Sequence, residues 1–165
     1  MATTALGGSP AHTIGDLPRP GSTAPSYTLT GTDLVDVTSE AYAGRRVILN
    51  IFPSVDTGVC AASVRRFNEL AAGLDNTTVI CASADLPYAL RRFCGAEGIS
   101  DVVPASSFRS SFGADFGVTL IDTAMRGLLA RSVVVVDTDG TVLHTELVPS
   151  IGNEPDYDAA VAALG

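Results

Sequence analysis

The 165-residue sequence contains no lysine; its ten basic residues are all arginine, set against 18 acidic ones, for a net charge of −8. Nucleic-acid binding needs a basic patch, and none is visible, so no nucleic-acid partner is expected. The acidity reads as solubility. Long apolar runs are missing too. None approaches the roughly 20 residues that cross a bilayer, so no membrane partner is expected. The opening stretch, MATTALGGSPAHTIGDLPRPG, has neither a basic n-region nor an apolar h-region. The expectation is a cytoplasmic protein. Histidine is scarce: His12 and His144 sit at no ligand spacing from a cysteine or carboxylate, which argues against a structural zinc site. Only three cysteines occur, Cys60, Cys81 and Cys94, with no CxxC pair, too few and too scattered for a secreted disulfide scaffold. There is no GxGxxG, no P-loop and no G-x-S-x-G motif.

What is present is a globular composition, 46% apolar and 17% charged, of a length that fits one domain with a sizeable core. The run from Arg45 to Phe52, RRVILNIF, reads as a buried strand. From Cys60 the apolar positions Cys60, Val64, Phe67, Ala71 and Leu74 fall at steps of three and four, one face of a helix that Gly73 ends. Thr77–Ser83 is a second buried strand. A second helix follows, with Asp85 as its expected cap, Pro87 in its first turn and Gly95 or Gly98 at its stop. RSVVVVDTDGTVLHTELV holds two β runs about an Asp-Gly turn, a hairpin signal. EPDYDAAVAALG reads as a C-terminal helix with Pro155 in its first turn, and PSYTLTGTDLVDVTSEAYAG as an N-terminal hairpin with a short helical turn. The right-handed crossover rule sets the first two buried strands parallel. The fold predicted is an α/β, thioredoxin-like sandwich: a central mixed sheet flanked by helices, with an N-terminal β-hairpin. It spans residues 1–165 as one domain, with about the first 18 residues loosely attached.

The cysteines read differently from one another. Cys81 lies inside an alternating buried strand and reads as a small inert core residue. Cys60 stands at a helix start, where free N–H groups and the helix dipole favour a thiolate. It is either a packing residue or a nucleophile. Three neighbours favour the second reading: Thr57 offers a hydroxyl one turn earlier, Pro53 shapes the strand exit, and Arg131 is a lone charge entering an apolar strand. A buried arginine needs an anionic partner. Cys94 closes a helix with glycine on its C-terminal side, where it either packs or reacts after local unwinding.

PSVDTGVC fits the P-x-x-x-T-x-x-C pattern of the peroxiredoxins through Pro53, Thr57 and Cys60, with Gly58 where many members carry proline. Together with SADLPYALRRFCGAEG, GLLARSVVVVD and ELVPSIGNEPDYDAAVAAL, it resembles the thiol peroxidase branch, the atypical two-cysteine peroxiredoxins, from about GDLPRPG onward. The resemblance implies that Cys60 is the peroxidatic cysteine, attacking a hydroperoxide and becoming a sulfenic acid. It implies that Thr57 and Arg131 bind the thiolate and the peroxide and that Pro53 shields the pocket. It further implies that Cys94 is the resolving cysteine, closing a Cys60–Cys94 disulfide that thioredoxin reduces. Hydrogen peroxide and organic hydroperoxides are the implied substrates, a homodimer the implied assembly, and no metal or organic cofactor is called for. Two rival readings remain at this point. One is a redox sensor or thioredoxin-fold binding protein without efficient turnover. The other is a disulfide oxidoreductase, against which the missing CxxC counts.

Overall fold

A computed structural model describes residues 1–165. Its strands and helices, in chain order, are β1 (Thr3–Leu6), β2 (Ser9–His12), β3 (Thr28–Gly31), β4 (Asp36–Thr38), a short 3-10 turn (Ser39–Tyr42), β5 (Arg46–Ile51), α1 (Gly58–Ala71), β6 (Thr77–Ser83), α2 (Pro87–Glu97), β7 (Val103–Ser106), α3 (Phe112–Asp115), β8 (Ser132–Val136), β9 (Val142–Leu147) and α4 (Tyr157–Ala162). Seven strands form one sheet in the order β4-β3-β7-β6-β5-β8-β9. β5, β6 and β7 run parallel, and the remaining pairs are antiparallel. This is the mixed, thioredoxin-like arrangement that the element order predicts, with β8 and β9 as the hairpin about Asp139-Gly140.

Period-two alternation divides the core into two. On β5, β6 and β8, Ile48, Val79, Cys81, Val133 and Val135 point to one face of the sheet, while Leu49, Ile51, Ile80, Ala82, Val134 and Val136 point to the other. The first set packs under α1, α2 and α4 through Val64, Phe67, Leu90, Phe93 and Ala160. Phe67 and Tyr157 meet edge-on there, with ring centres 5.1 Å apart. The second set is covered by α3 and the loops around it, with Tyr27, Phe112 and Phe116 forming an aromatic cluster.

Three local expectations are revised and one alternative is settled. Leu86, not Asp85, stands at the N-cap position of α2, where no side chain caps the helix, and Asp85 turns its side chain elsewhere. Of the two glycines expected as the stop, Gly98 ends α2, in the left-handed region at φ 67°, where glycine carries no Cβ penalty. Pro155 lies ahead of α4, whose N-cap is Asp156, accepting from the Ala159 N–H at 2.9 Å. β7 was not expected as a strand, because proline suppresses the signal. Pairing of β7 with β3 involves only Ala105 and Ser106, so the missing N–H of Pro104 costs no bond there.

The largest difference lies at the N-terminus. Residues 1–18, expected to be loosely attached, include the hairpin β1–β2, which is docked on the body of the protein. Thr4 Oγ1 donates to the Val148 carbonyl at 2.8 Å, the Ile151 N–H donates to Ala5 O at 2.8 Å, and Ala11 is wholly buried against Leu120, Ala130 and Ile151. The bond from the Ile14 N–H to Thr119 O continues the attachment. Gly117, at φ 71°, lets this segment pass, since a Cβ there would run into the Asp16 backbone. Gly117→Ala therefore combines a strained φ with a backbone clash and is expected to cost at least about 2 kcal/mol. Urea unfolding of the variant checks this, and an unchanged midpoint would mean the N-terminal segment is not held against that turn.

Candidate active site

The site begins where β5 ends. After Ile51 the chain passes Phe52 and Pro53, both buried, and turns through Ser54–Asp56 into α1. Thr57 is the N-cap residue, in extended backbone at φ −104° and ψ 144°. Cys60, third residue of the helix, lies among the N–H groups that have no partner within the helix. Its residue exposure is 0%, and Arg131, entering β8 two strands into the sheet from the opposite edge, is 2% exposed. The two meet directly: Arg131 Nη2 donates to Cys60 Sγ at 3.1 Å.

Arg131 is held from its other side by backbone. Its Nε donates to the Ile151 carbonyl at 2.9 Å, and Nη1 has no partner. No carboxylate pairs with it; the six ion pairs of the protein lie elsewhere. A buried guanidinium without a carboxylate is costly, and sulfur is the one side-chain atom it bonds.

Thr57 lies one turn from Cys60, but its hydroxyl donates to Ser54 O at 3.1 Å and makes no bond to the sulfur. Pro53 is buried at the strand exit. Cys94 sits in the last turns of α2, half-buried, and packs against the same core cluster that contains Cys60 and Cys81. Both cysteine-bearing helices thus cover one face of the sheet, but all three thiols are free and Cys94 is not joined to Cys60. Burial pushes the Cys94 thiol up to about 11 and the Cys81 thiol up to about 12. No three His, Cys, Asp or Glu side chains converge as a metal-binding group.

Several contributors escaped the sequence reading. Asn50, in the middle of β5, donates to Ser63 Oγ at 3.3 Å and to Cys81 Sγ at 3.6 Å, while Ser63 donates to Cys60 O at 2.8 Å. The signal was an amide inside the apolar run RRVILNIF. Two exposed ion pairs tie α2 to the site: Arg65 grips Glu97 with two bonds of 2.9 and 3.0 Å, and Arg92 lies 3.5 Å from Asp56. None of the three principal clefts is lined by Cys60, Thr57 or Arg131, so the sulfur is covered in this state.

Comparison with known proteins places this geometry in context. A family profile described as Redoxin matches residues 19–161. The thiol peroxidase of Mycobacterium tuberculosis H37Rv is 58% identical over 165 residues, covering 100% of this chain and 99% of that one. The thiol peroxidase of Corynebacterium glutamicum is 57% identical over 164 residues, covering 99% of each. Among solved structures, a peroxiredoxin-like protein from Aquifex aeolicus superposes with a TM-score of 0.93 at 34% identity, covering 98% of this chain and 95% of that one.

Reactivity of the half-buried thiol offers a direct check. The Cys94 pKa is raised, so its thiolate is withheld until pH rises through about 11. Alkylation of reduced protein by iodoacetamide, followed peptide by peptide, is expected to accelerate at Cys94 about tenfold per pH unit from 8 to 10. A plateau at or below pH 9 would show that burial does not hold the proton on this thiol.

Proposed function

Since this chain belongs to the redoxin family, in the thiol peroxidase branch of the peroxiredoxins, and is an oxidoreductase, we propose that it reduces hydrogen peroxide and organic hydroperoxides with Cys60 as the peroxidatic thiolate. The observation that carries the assignment is the 3.1 Å contact between the buried Arg131 and Cys60 Sγ at the start of α1. In the first step the thiolate attacks the terminal oxygen of the peroxide. An S–O bond forms, the O–O bond breaks, and the leaving oxygen takes a proton to depart as water or an alcohol. Cys60 is left as a sulfenic acid, oxidised by two electrons while the peroxide is reduced by two. Arg131 sits where negative charge moves from sulfur to oxygen, and fixed donors there lower the barrier. Thr57 turns its hydroxyl from Ser54 toward the peroxide, and Pro53 screens the thiolate from water.

In the second step Cys94 attacks the sulfenic sulfur. An S–S bond forms and the hydroxyl leaves, protonated, as water. A thioredoxin dithiol then reduces the Cys60–Cys94 disulfide by exchange. The raised pKa of Cys94 in the folded state supports a resolution step that waits for local unwinding. Once exposed, the thiol regains its ordinary acidity and becomes a competent nucleophile. A disulfide requires Cα atoms about 4.4–6.8 Å apart, and in this reading the first turn of α1 and the last of α2 open together to reach it. Three free thiols suit a reducing, cytoplasmic setting. Leu86, Tyr88 and Phe108 are exposed beside the site and support a homodimer formed across this face.

Steady-state peroxide consumption with a thioredoxin–reductase couple tests the proposal. Cys60→Ser is expected to fold normally and lose turnover entirely, because a serine hydroxyl without a strong base stays protonated. Wild-type-like turnover in that variant would move the chemistry to another cysteine. Arg131→Met should slow the reaction with peroxide by at least about tenfold, equivalent to some 1.4 kcal/mol of lost transition-state stabilisation. A rate within twofold of wild type would remove Arg131 from the mechanism.

The resolving role has its own assay. Peroxide-treated wild type should yield an intramolecular Cys60–Cys94 peptide in the mass spectrometer. Cys94→Ser should keep the first reduction fast, lose thioredoxin-supported turnover, and let Cys60 proceed to sulfinic acid under excess peroxide. A Cys60–Cys81 link as the main product would make Cys81 the resolving thiol.

A further inference from the structure

Asp85 stands between the two segments that must move. Its carboxylate accepts three hydrogen bonds: from Ser54 Oγ at 2.7 Å, from the Val55 N–H at 2.9 Å and from Ser83 Oγ at 2.6 Å. Its own backbone is fixed from the sheet. The Asp85 N–H donates to Ser83 Oγ at 3.3 Å, and the Asp85 carbonyl accepts from Ser106 Oγ at the end of β7. Ser83 and Ser106 are both fully buried. A rigid point at the carboxyl end of two central strands therefore grips the loop between β5 and α1.

The grip reaches Thr57. Ser54 Oγ accepts from the Asp56 N–H at 3.1 Å, and Ser54 O accepts from both the N–H and the hydroxyl of Thr57, at 3.2 and 3.1 Å. Asp85 fixes Ser54, and Ser54 fixes the N-cap that precedes Cys60. Two residues further along the chain, Pro87 begins the helix that carries Cys94.

We propose that Asp85 is a positioning residue that holds the Pro53–Thr57 loop in the form able to attack peroxide, and that release of its grip admits resolution by Cys94. The proposal rests on the assignment of Cys60 and Cys94 made above. Peroxide attack needs Thr57 and the first turn of α1 in place, whereas disulfide formation needs them displaced. One carboxylate accepting three bonds from that loop and its strand biases the balance toward the first state. Removing it leaves the buried Val55 N–H without a partner and frees Ser54.

The test compares wild type with Asp85→Ala in quenched-flow experiments, trapping sulfenic acid with dimedone and counting the disulfide by mass spectrometry. Sulfenic acid formation is expected to slow at least tenfold, while conversion of sulfenic acid to the Cys60–Cys94 disulfide is no slower than in wild type. Hydrogen exchange of the 53–59 peptide should accelerate at least tenfold in reduced enzyme, with the β6 and β8 peptides unchanged. Ser54→Ala, which removes one of the three bonds, should show the same split more weakly, and adding it to Asp85→Ala should slow attack no further. Should Asp85→Ala fail to fold, Ser54→Ala alone decides by the same split. Attack within twofold of wild type, equal slowing of both steps, or unchanged exchange at 53–59 would overturn the proposal. If wild-type Cys60 forms no sulfenic acid, the assignment of the site falls, and the exchange measurement then decides by itself whether Asp85 holds the loop.

Discussion

A single buried cation organises much of this protein. Arg131 is almost wholly removed from water and has no carboxylate within ion-pair distance. Stripping water from an ion costs several kcal/mol even after relaxation. Unit charges about 4 Å apart at an effective dielectric of about 20 recover roughly 4 kcal/mol. These quantities are of the same size, so the guanidinium is tolerable only if an anion lies against it. Cys60 Sγ is the side-chain atom that lies against it, 3.1 Å away at the positive end of α1. In the proposed mechanism the stability of the cation and the reactivity of the thiol are two aspects of one contact. Each side needs a rigid mount, because a shift of an ångström would leave both groups desolvated and apart.

The mount on the arginine side comes from the part of the chain whose role was least apparent. Arg131 Nε is anchored by the Ile151 carbonyl, and Ile151 is anchored in turn by Ala5 of β1. Thr4, the neighbouring residue, holds the same loop at Val148. The N-terminal hairpin therefore supports the guanidinium from 126 positions away in sequence, the separation between Ala5 and Arg131. It has little hydrophobic signal of its own. Ala11 is its one wholly buried apolar residue, and its attachment runs mainly through backbone groups. Backbone pairing carries no side-chain signature, and this is why the segment reads as loose in the sequence.

Much else was legible, for reasons that are equally physical. β5, β6 and β8 are dense in β-branched residues because both faces are buried, and α1 declares itself by spacing because only one face is. Cys60 and Arg131 stand out because a thiol at a helix start and a charge in an apolar strand each conflict with their local pattern. Asn50 conflicts in the same way, inside β5; its amide N–H groups bond Ser63 and Cys81, while its buried Oδ1 has no partner. Asp85 was legible as a residue but not as a role. An aspartate ahead of a helix promises a cap, and nothing in the sequence tells that Ser54, 31 positions earlier, will claim its carboxylate. β7 was hidden by Pro104, whose missing N–H costs no bond to β3 because that pairing involves only Ala105 and Ser106.

The two proposed chemical steps ask opposite things of the same backbone, and the strengths of the contacts around the candidate site follow that division. The ion pairs that join α2 to α1 and to the active-site loop, Arg65–Glu97 and Arg92–Asp56, are exposed, and such pairs are worth about 0–1 kcal/mol each. They orient α2 without locking it. Cys60 and Cys94 occupy the first and last turns of their helices, where opening breaks few backbone bonds. The stronger restraints, the Arg131–Cys60 contact and the bonds from the Asp85 carboxylate, act on the sulfur and on the loop before it. In the proposed mechanism, oxidation of Cys60 changes the group that lies against Arg131, so the first step weakens one of the two restraints. What remains is the grip of Asp85 on Ser54 and Val55, a set of neutral donors on one carboxylate. In the proposed mechanism that grip must loosen before Cys94 reaches the oxidised Cys60.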